Sequence, residues 1–309
     1  MDAEQRILKL LDDRGSDGAL QSEIGEILNL SKSTVSEVLS KLEEEGKITK
    51  RLVSGKSYRV WLVKHAPFAI EGVVRVGILR ASEYPKVVTA ARKVGGIVKV
   101  YDSALELTKS LVSGKVDVAA SPMVTQLFFG VLMKNIKIFR IVAMNGSGVV
   151  YGGGKDWFGC SEFSTMELNL RKFLAAKGEK LKIRYFASPE EMLKSLSELR
   201  GIAIWEPYFS AVEGEKEEFR EVLGDFVCCS LAANTGFLEV NGELFDDFLS
   251  KFDSARVSRS SAEELAALIG FDVDVVYRSF SSYEFEVEQE RPKALEKLIL
   301  GSIDEIFEF

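Results

Sequence analysis

The chain has 309 residues, 46% of them hydrophobic, with three cysteines, one histidine and a formal net charge of −7 at pH 7. That length exceeds one typical domain, so two or three units with sizeable cores are expected. No apolar run is long enough to span a bilayer, three cysteines exclude a disulfide framework, and a lone His65 argues against histidine acid–base chemistry.

The start, Met1-Asp2-Ala3-Glu4-Gln5, is acidic and runs straight into an amphipathic pattern, with neither a basic n-region nor an apolar signal core. A cytoplasmic protein is therefore expected. Ile7, Leu8, Leu10 and Leu11 give a first helix its apolar face, and Gly15 ends it. A second helix, from about Gln21 to Leu28, is expected to bury Ile24 and Ile27. Ser31 can cap a third, Lys32 to Glu45, which buries Val35, Val38, Leu39 and Leu42 and turns Lys32, Ser33, Thr34, Ser36 and Lys41 outward. Ile48 to Val53 and Ser57 to Val63 read as the strands of a hairpin around Ser54-Gly55-Lys56. Residues 1–64 hold 11 Lys and Arg against 11 Asp and Glu, and the rest 29 against 36. Within the small segment Lys47, Lys50, Arg51, Lys56, Arg59 and Lys64 have no acid among them, a local basic patch of the kind that meets phosphate.

Three helices and a basic hairpin predict a winged helix-turn-helix over residues 1–66. Ser31-Lys32-Ser33-Thr34-Val35-Ser36 through Gly46-Lys47-Ile48 resembles the recognition helix and wing entry of MarR-like prokaryotic transcription regulators. The resemblance implies double-stranded DNA as a partner. Lys32, Ser33, Thr34, Ser36 and Lys41 would face the major groove, and Lys50, Arg51, Lys56 and Arg59 the phosphates.

Lys64 to Gly72 has no helical period and contains Pro67, which places a boundary there. Strands at Val73 to Leu79, Ile97 to Tyr101 and Val116 to Ala120 then alternate with helices at Tyr84 to Val94, Ala104 to Ser113 and Met123 to Met133. This order predicts an α/β unit with a mainly parallel sheet. Ile138 to Met144 and Gly201 to Ile204 read as further buried parallel strands, each leading into a polar loop. Loops leaving the carboxyl ends of such strands are where small molecules bind.

Leu105 to Gly130, LELTKSLVSGKVDVAASPMVTQLFFG, resembles a passage of type II periplasmic binding proteins. Trp205-Glu206-Pro207-Tyr208 is similar to the W-E-P-Y turn of their sulfonate, nitrate and thiamine-precursor binding subfamily. Ser260 to Phe271 and Pro292 to Phe309 resemble its carboxyl-terminal helices. The resemblance implies a two-lobed ligand-binding domain over 67–309, lobe I at about 72–150 and 230–309 and lobe II at about 151–229. The chain would cross near Val150, with Gly152-Gly153-Gly154 as a mobile crossing, and return near Cys228 to Ala233.

By position after strands and at helix starts, Ser82, Glu83, Ser121, Asn145, Ser147, Ser164, Thr165, Trp205, Glu206 and Tyr208 are expected to line the cleft. Ser164 and Thr165 open a helix whose first-turn amides suit an anion, unless they serve only as caps. Glu206 between Trp205 and Tyr208 suits a cation or an amino-heterocycle. An aminopyrimidine or a small anion would fit as effector, although Arg80 is the sole arginine in these loops. Cys160, Cys228 and Cys229 lack C-x-x-C spacing and read as packed thiols, so neither metal nor cofactor is expected.

A DNA-reading module before a ligand cleft implies a ligand-responsive transcription regulator acting as a homodimer. The alternative is an enzyme on the same two-lobed fold, with Cys160 the best candidate for chemistry, but no nucleophile–base pair is evident.

Overall fold

The computed structural model describes residues 1–55, 57–180 and 182–289. Its contacts divide the chain into two units, one of Met1–Glu71 with Ser113–Lys115, the other of Gly72–Val112 and Val116 onward. The resemblance noted for Pro292 to Phe309 and the role expected of Lys56 lie outside the described residues.

In the first unit the elements are α1 (Ala3–Arg14), β1 (Ala19–Leu20), α2 (Gln21–Leu28), α3 (Lys32–Glu44), β2 (Ile48–Ser54) and β3 (Ser57–Leu62). The strands form an antiparallel sheet in the order β1-β3-β2. Asp2 caps α1 by accepting from the Gln5 amide, and Ser31 caps α3 by accepting from that of Thr34, satisfying donors the helix itself leaves open. Ile7, Leu11, Ile24, Val35, Leu39 and Leu42 close on Ile48, Val60 and Leu62 as one core. Ile27, expected inside, is 49% exposed, because in the short α2 the inward face is filled by Ile24 with Leu28 packed beside it.

The second unit begins with β4 (Arg75–Leu79), α4 (Pro85–Lys93), β5 (Ile97–Tyr101), α5 (Ala104–Val112), β6 (Val118–Pro122), α6 (Met123–Met133) and β7 (Ile136–Asn145). It continues with β8 (Ser147–Tyr151), β9 (Phe158–Cys160), α7 (Thr165–Ala176), β10 (Ile183–Tyr185), α8 (Pro189–Lys194) and β11 (Gly201–Trp205). Then come α9 (Tyr208–Ala211), β12 (Lys216–Glu218), α10 (Phe219–Leu223), β13 (Val227–Asn234), α11 (Thr235–Ser254), α12 (Arg259–Ile269), α13 (Val273–Ser279) and β14 (Tyr283–Glu284).

These strands sort into two sheets, ordered β14-β7-β13-β6-β4-β5 and β10-β9-β11-β8-β12, so the unit is a mixed α/β structure of two lobes. In the first sheet β4 pairs in parallel with β5 and β6, as the βαβ order predicts. Strand β7 runs in the same direction as β4 and β6, as expected, but is not bonded to them: β13 lies between, antiparallel to both β6 and β7, and β14 is antiparallel to β7 on its other side. The reason is topological, since β7 carries the chain out of the first sheet and β13 brings it back.

The outward crossing falls at Asn145–Gly146, before the expected Val150, which already lies inside β8. Both residues have positive φ, 66° and 76°, and a Cβ on Gly146 would stand 1.9 Å from the Tyr283 ring. Gly152, Gly153 and Gly154 do not form the crossing. They pack against the backbone carbonyls of Leu196, Ser197 and Glu198, where any Cβ would collide.

Arg75 and Asp117, 2% and 1% exposed, tie β4 to the start of β6. The carboxylate accepts from the Arg75 backbone amide and Nε at 2.8 Å and from Nη2 at 2.6 Å. Asp117→Ala leaves a buried guanidinium without its carboxylate and is expected to cost about 3–5 kcal/mol in urea unfolding. Gly146→Ala combines left-handed strain with a clash and should cost about 2–4 kcal/mol. A loss below about 1 kcal/mol in either variant would contradict the corresponding contact.

Candidate functional site

The two lobes touch directly around the carboxyl ends of their strands. The Ser82 amide donates to the Glu206 carbonyl at 3.1 Å, and Trp205 Nε1 donates to the Arg80 carbonyl at 3.1 Å. Thr165 Oγ1 donates to the Cys228 carbonyl at 2.8 Å, and Thr125 Oγ1 to that of Phe163 at 2.6 Å. Between these ties lies a cavity of about 390 Å³, counting the space open to solvent. Its polar wall is Glu83, Asp102, Ser161, Ser164, Thr165 and Cys228, and Trp205 closes one side.

Four of the ten expected ligand residues therefore meet at the cavity: Glu83, Ser164, Thr165 and Trp205. The other six are engaged elsewhere or turned away. Ser82 accepts from Ser279 Oγ at 2.8 Å, and Ser121 Oγ accepts from Gln126 Nε2 at 3.0 Å. Asn145 bonds Asp225 and the Phe226 backbone. Ser147 Oγ is buried and has no hydrogen-bond partner among the described residues.

Glu206 is wholly buried, with its carboxylate filled by the Ser210 amide and the Ser210 and Ser282 hydroxyls at 2.7–3.0 Å. It is a clamp between lobes, with three of a carboxylate's roughly four acceptor sites already used. Tyr208 donates to Glu190 at 2.7 Å and packs its ring on Phe271. Burial first, and then the Glu190 carboxylate, hold its hydroxyl far from ionisation.

Asp102 and Ser161 were missed by sequence reasoning. Each sits just after a strand, β5 and β9, so the rule that selected Glu83 would have found them. Cys228 carried no such signal. Asp102 is paired with Arg80 Nε at 2.8 Å, and Arg80 Nη1 also bonds the Ile269 carbonyl. Arg80 is thus committed, and among the described residues none that lines the cavity is a lysine or arginine.

Glu83 is the chemically distinctive group. Burial pushes its carboxyl up to about 7, because a desolvated carboxylate is disfavoured. The Tyr84 and Tyr283 hydroxyls pull the other way, and the Glu206 charge adds to the rise. Tyr283 Oη donates to Oε2 at 2.8 Å.

In the first unit, the cations read as a free basic patch are largely paired. Lys50 meets Glu43 at 2.6 Å, Lys41 meets Glu4 at 2.7 Å, and Lys47 meets both Glu4 and Glu45. Arg51 lies over the Phe68 ring and Arg59 bonds the Asp17 carbonyl. Ser33 and Thr34 bond Ser31, while Lys32 and Ser36 are exposed. Folding brings these acids in from α1 and α3, which a count along the hairpin does not register. His65 is bonded to Asp12 at 2.8 Å.

A family described as a domain of unknown function, DUF7343, matches residues 1–61. No curated protein matches the chain. Among solved structures, the ligand-binding component of an ABC-type import system from Staphylococcus aureus with zinc bound is 18% identical, with 76% of this chain and 92% of that chain covered at a TM-score of 0.65. The alkanesulfonate-binding protein SsuA from Xanthomonas axonopodis pv. citri bound to MOPS is 15% identical, covering 77% and 93% at 0.61. The periplasmic nitrate-binding protein NrtA from Synechocystis PCC 6803 is 15% identical, covering 74% and 75% at 0.58.

The chain thus has a periplasmic-binding-protein-like fold. These neighbours are described as binding proteins and not as transcription regulators, which corrects the expected function, a ligand-responsive, DNA-binding transcription regulator. The expected partners, double-stranded DNA and a second copy in a homodimer, fall with it. The cytoplasmic expectation is overturned by neighbours described as periplasmic. Among the described residues no helix is long and apolar enough to cross a membrane.

The raised Glu83 carboxyl sets a pH dependence. With its folded value above its unfolded one, its contribution to stability is complete below about 4.5 and is lost as pH rises to about 7. Unfolding free energy should fall by roughly 3 kcal/mol across that window on this group's account. Glu83→Gln keeps the neutral shape, so its stability should lack this fall. Parallel pH profiles for the two proteins would contradict the assignment.

Proposed function

We propose that the chain binds a small solute carrying N–H donors, uncharged or cationic, in the cavity between the two lobes, without chemical turnover. The observation that carries this reading is the composition of the wall. Among the described residues it holds two carboxylates, three hydroxyls and an indole, and neither lysine nor arginine. Recognition of a desolvated anion relies on charged donors or converging amides. Here the Ser164 hydroxyl instead accepts from the Glu167 amide at the start of α7, so a capping role takes that helix terminus. A carboxylate that ionises near 7 beside an aromatic face suits an amine, an amidine or a nitrogenous ring.

Glu83 would hold the N–H donors, Trp205 would stack, and Ser161 would fix orientation. The neighbours described as sulfonate- and nitrate-binding share the fold, and the solute proposed here differs from theirs in charge. The absence of turnover is consistent with the burial that drives the Cys160 thiol well above its usual range and with neighbours described as binding proteins. For the first unit we propose the fold alone, a winged helix, on the strength of its three helices and hairpin, over residues 1–66 with the binding domain from 67 onward.

The test is thermal unfolding against two panels, one of small amines, amidines, guanidines and amino-heterocycles, the other of sulfonates and nitrate. A solute from the first panel at a hundredfold over its dissociation constant should add about 2.7 kcal/mol. Affinity for a cationic member should rise as pH is taken through about 7, where Glu83 ionises, and Glu83→Gln should abolish that rise. Stabilisation by the anions and by none of the amines would overturn the proposal.

A further inference from the structure

We propose that Glu83, Cys228 and Cys229 form a binding site for a single thiophilic metal ion in the wall of the interlobe cavity. Neighbouring residues of a regular strand point to opposite faces of its sheet, so a Cys-Cys pair would normally be split. Strand β13 opens with a register shift instead: Val227 faces Met144 and Cys229 faces Ala143, leaving Cys228 as the extra residue. Such a bulge breaks the alternation. Both sulfurs consequently gather with the Glu83 carboxylate, and the three donor atoms lie within 4.8 Å of one another, all buried. In a tetrahedral zinc site with metal–sulfur bonds near 2.3 Å the ligand atoms stand roughly 3.8 Å apart. A small inward movement closes the cluster to that size.

The Tyr84 hydroxyl is fully buried beside Glu83 and both thiols. Glu83 and Cys228 line the cavity, which supplies the entry path and an open fourth position.

The donor set selects the metal. Two thiolates and one carboxylate favour zinc(II) and similar soft or borderline ions over magnesium or calcium, which take oxygen ligands. Binding exchanges protons for the ion: the two sulfur–hydrogen bonds break, two sulfur–metal bonds form, and both protons leave to solvent. Because thiolate ligands must be deprotonated, affinity must climb with pH.

The site stands on the thiols and does not depend on the solute reading, although Glu83 serves both. Cys229 is not part of the cavity lining, so its removal separates the two. The experiment uses the full chain, stripped with a chelator and titrated at pH 8 with zinc chloride, and in parallel with cobalt(II) as a spectroscopic probe. The expected result is one ion per chain, release of two protons, and a near-ultraviolet thiolate-to-cobalt charge-transfer band. Cys229→Ser should weaken zinc by more than the roughly 10–100-fold that outer-shell changes cost while leaving solute stabilisation in place. Cys160→Ser should change nothing. No binding, or binding without the charge-transfer band, overturns the site on the wild-type protein alone, whatever the fate of the variants. Undiminished zinc affinity in a folded Cys229→Ser protein would also overturn it.

Discussion

The lobes are held in register by one residue, Asn145, which pins the outgoing and returning chains together. Its amide donates to the Phe226 carbonyl at 3.0 Å, its Oδ1 accepts from the Phe226 amide at 3.2 Å, and its Nδ2 donates to Asp225. The next residue, Gly146, gives its carbonyl to the Glu206 amide at 3.0 Å. Crossing, return and the aromatic-acidic turn are thus fastened at a single point. Everything beyond it, including the clamp of Glu206 on Ser282 and the cavity itself, depends on where that point sets the second sheet.

Inside the cleft, charge was settled by burial more than by composition. Two carboxylates reach the cavity, but Asp102 is neutralised by Arg80, and Glu83 is held protonated to about 7 by desolvation. The wall can therefore change from neutral to anionic within an ordinary pH range. The same physics that raises Glu83 raises the thiol of Cys229 beside it, so burial favours the protonated form of both.

Much of the architecture was legible in the sequence because period and punctuation are local properties. The β4-α4-β5-α5-β6 order, the Ser31 cap and the end of β11 at the Trp205 turn all follow from side chains within a few positions of one another. The W-E-P-Y turn and the S-G-K-V-D-V-A strand also led to the two-lobed fold that the solved structures share. What could not be read was where elements meet. The crossing at Asn145–Gly146 depends on which sheet each strand joins, and so does the insertion of the returning β13, antiparallel, between β6 and β7. Glu206 looked like a free ligand because Ser282, 76 positions on, supplies part of its hydrogen bonding. The basic hairpin looked bare because Glu4 and Glu43 reach its neighbourhood only on folding. Cys228 is buried as a packed thiol would be, but the strand bulge that sets it beside Cys229 leaves no mark in composition.

The most direct test of solute binding between the lobes is hydrogen exchange by NMR at two protons that span them, the Ser82 amide and the Trp205 indole N–H, with and without a stabilising amine. A solute enclosed by the lobes should slow both protons together, since each is bonded to the opposite lobe. Binding that leaves both exchange rates unchanged, with protection appearing elsewhere on the chain, would contradict a cleft that closes on its ligand.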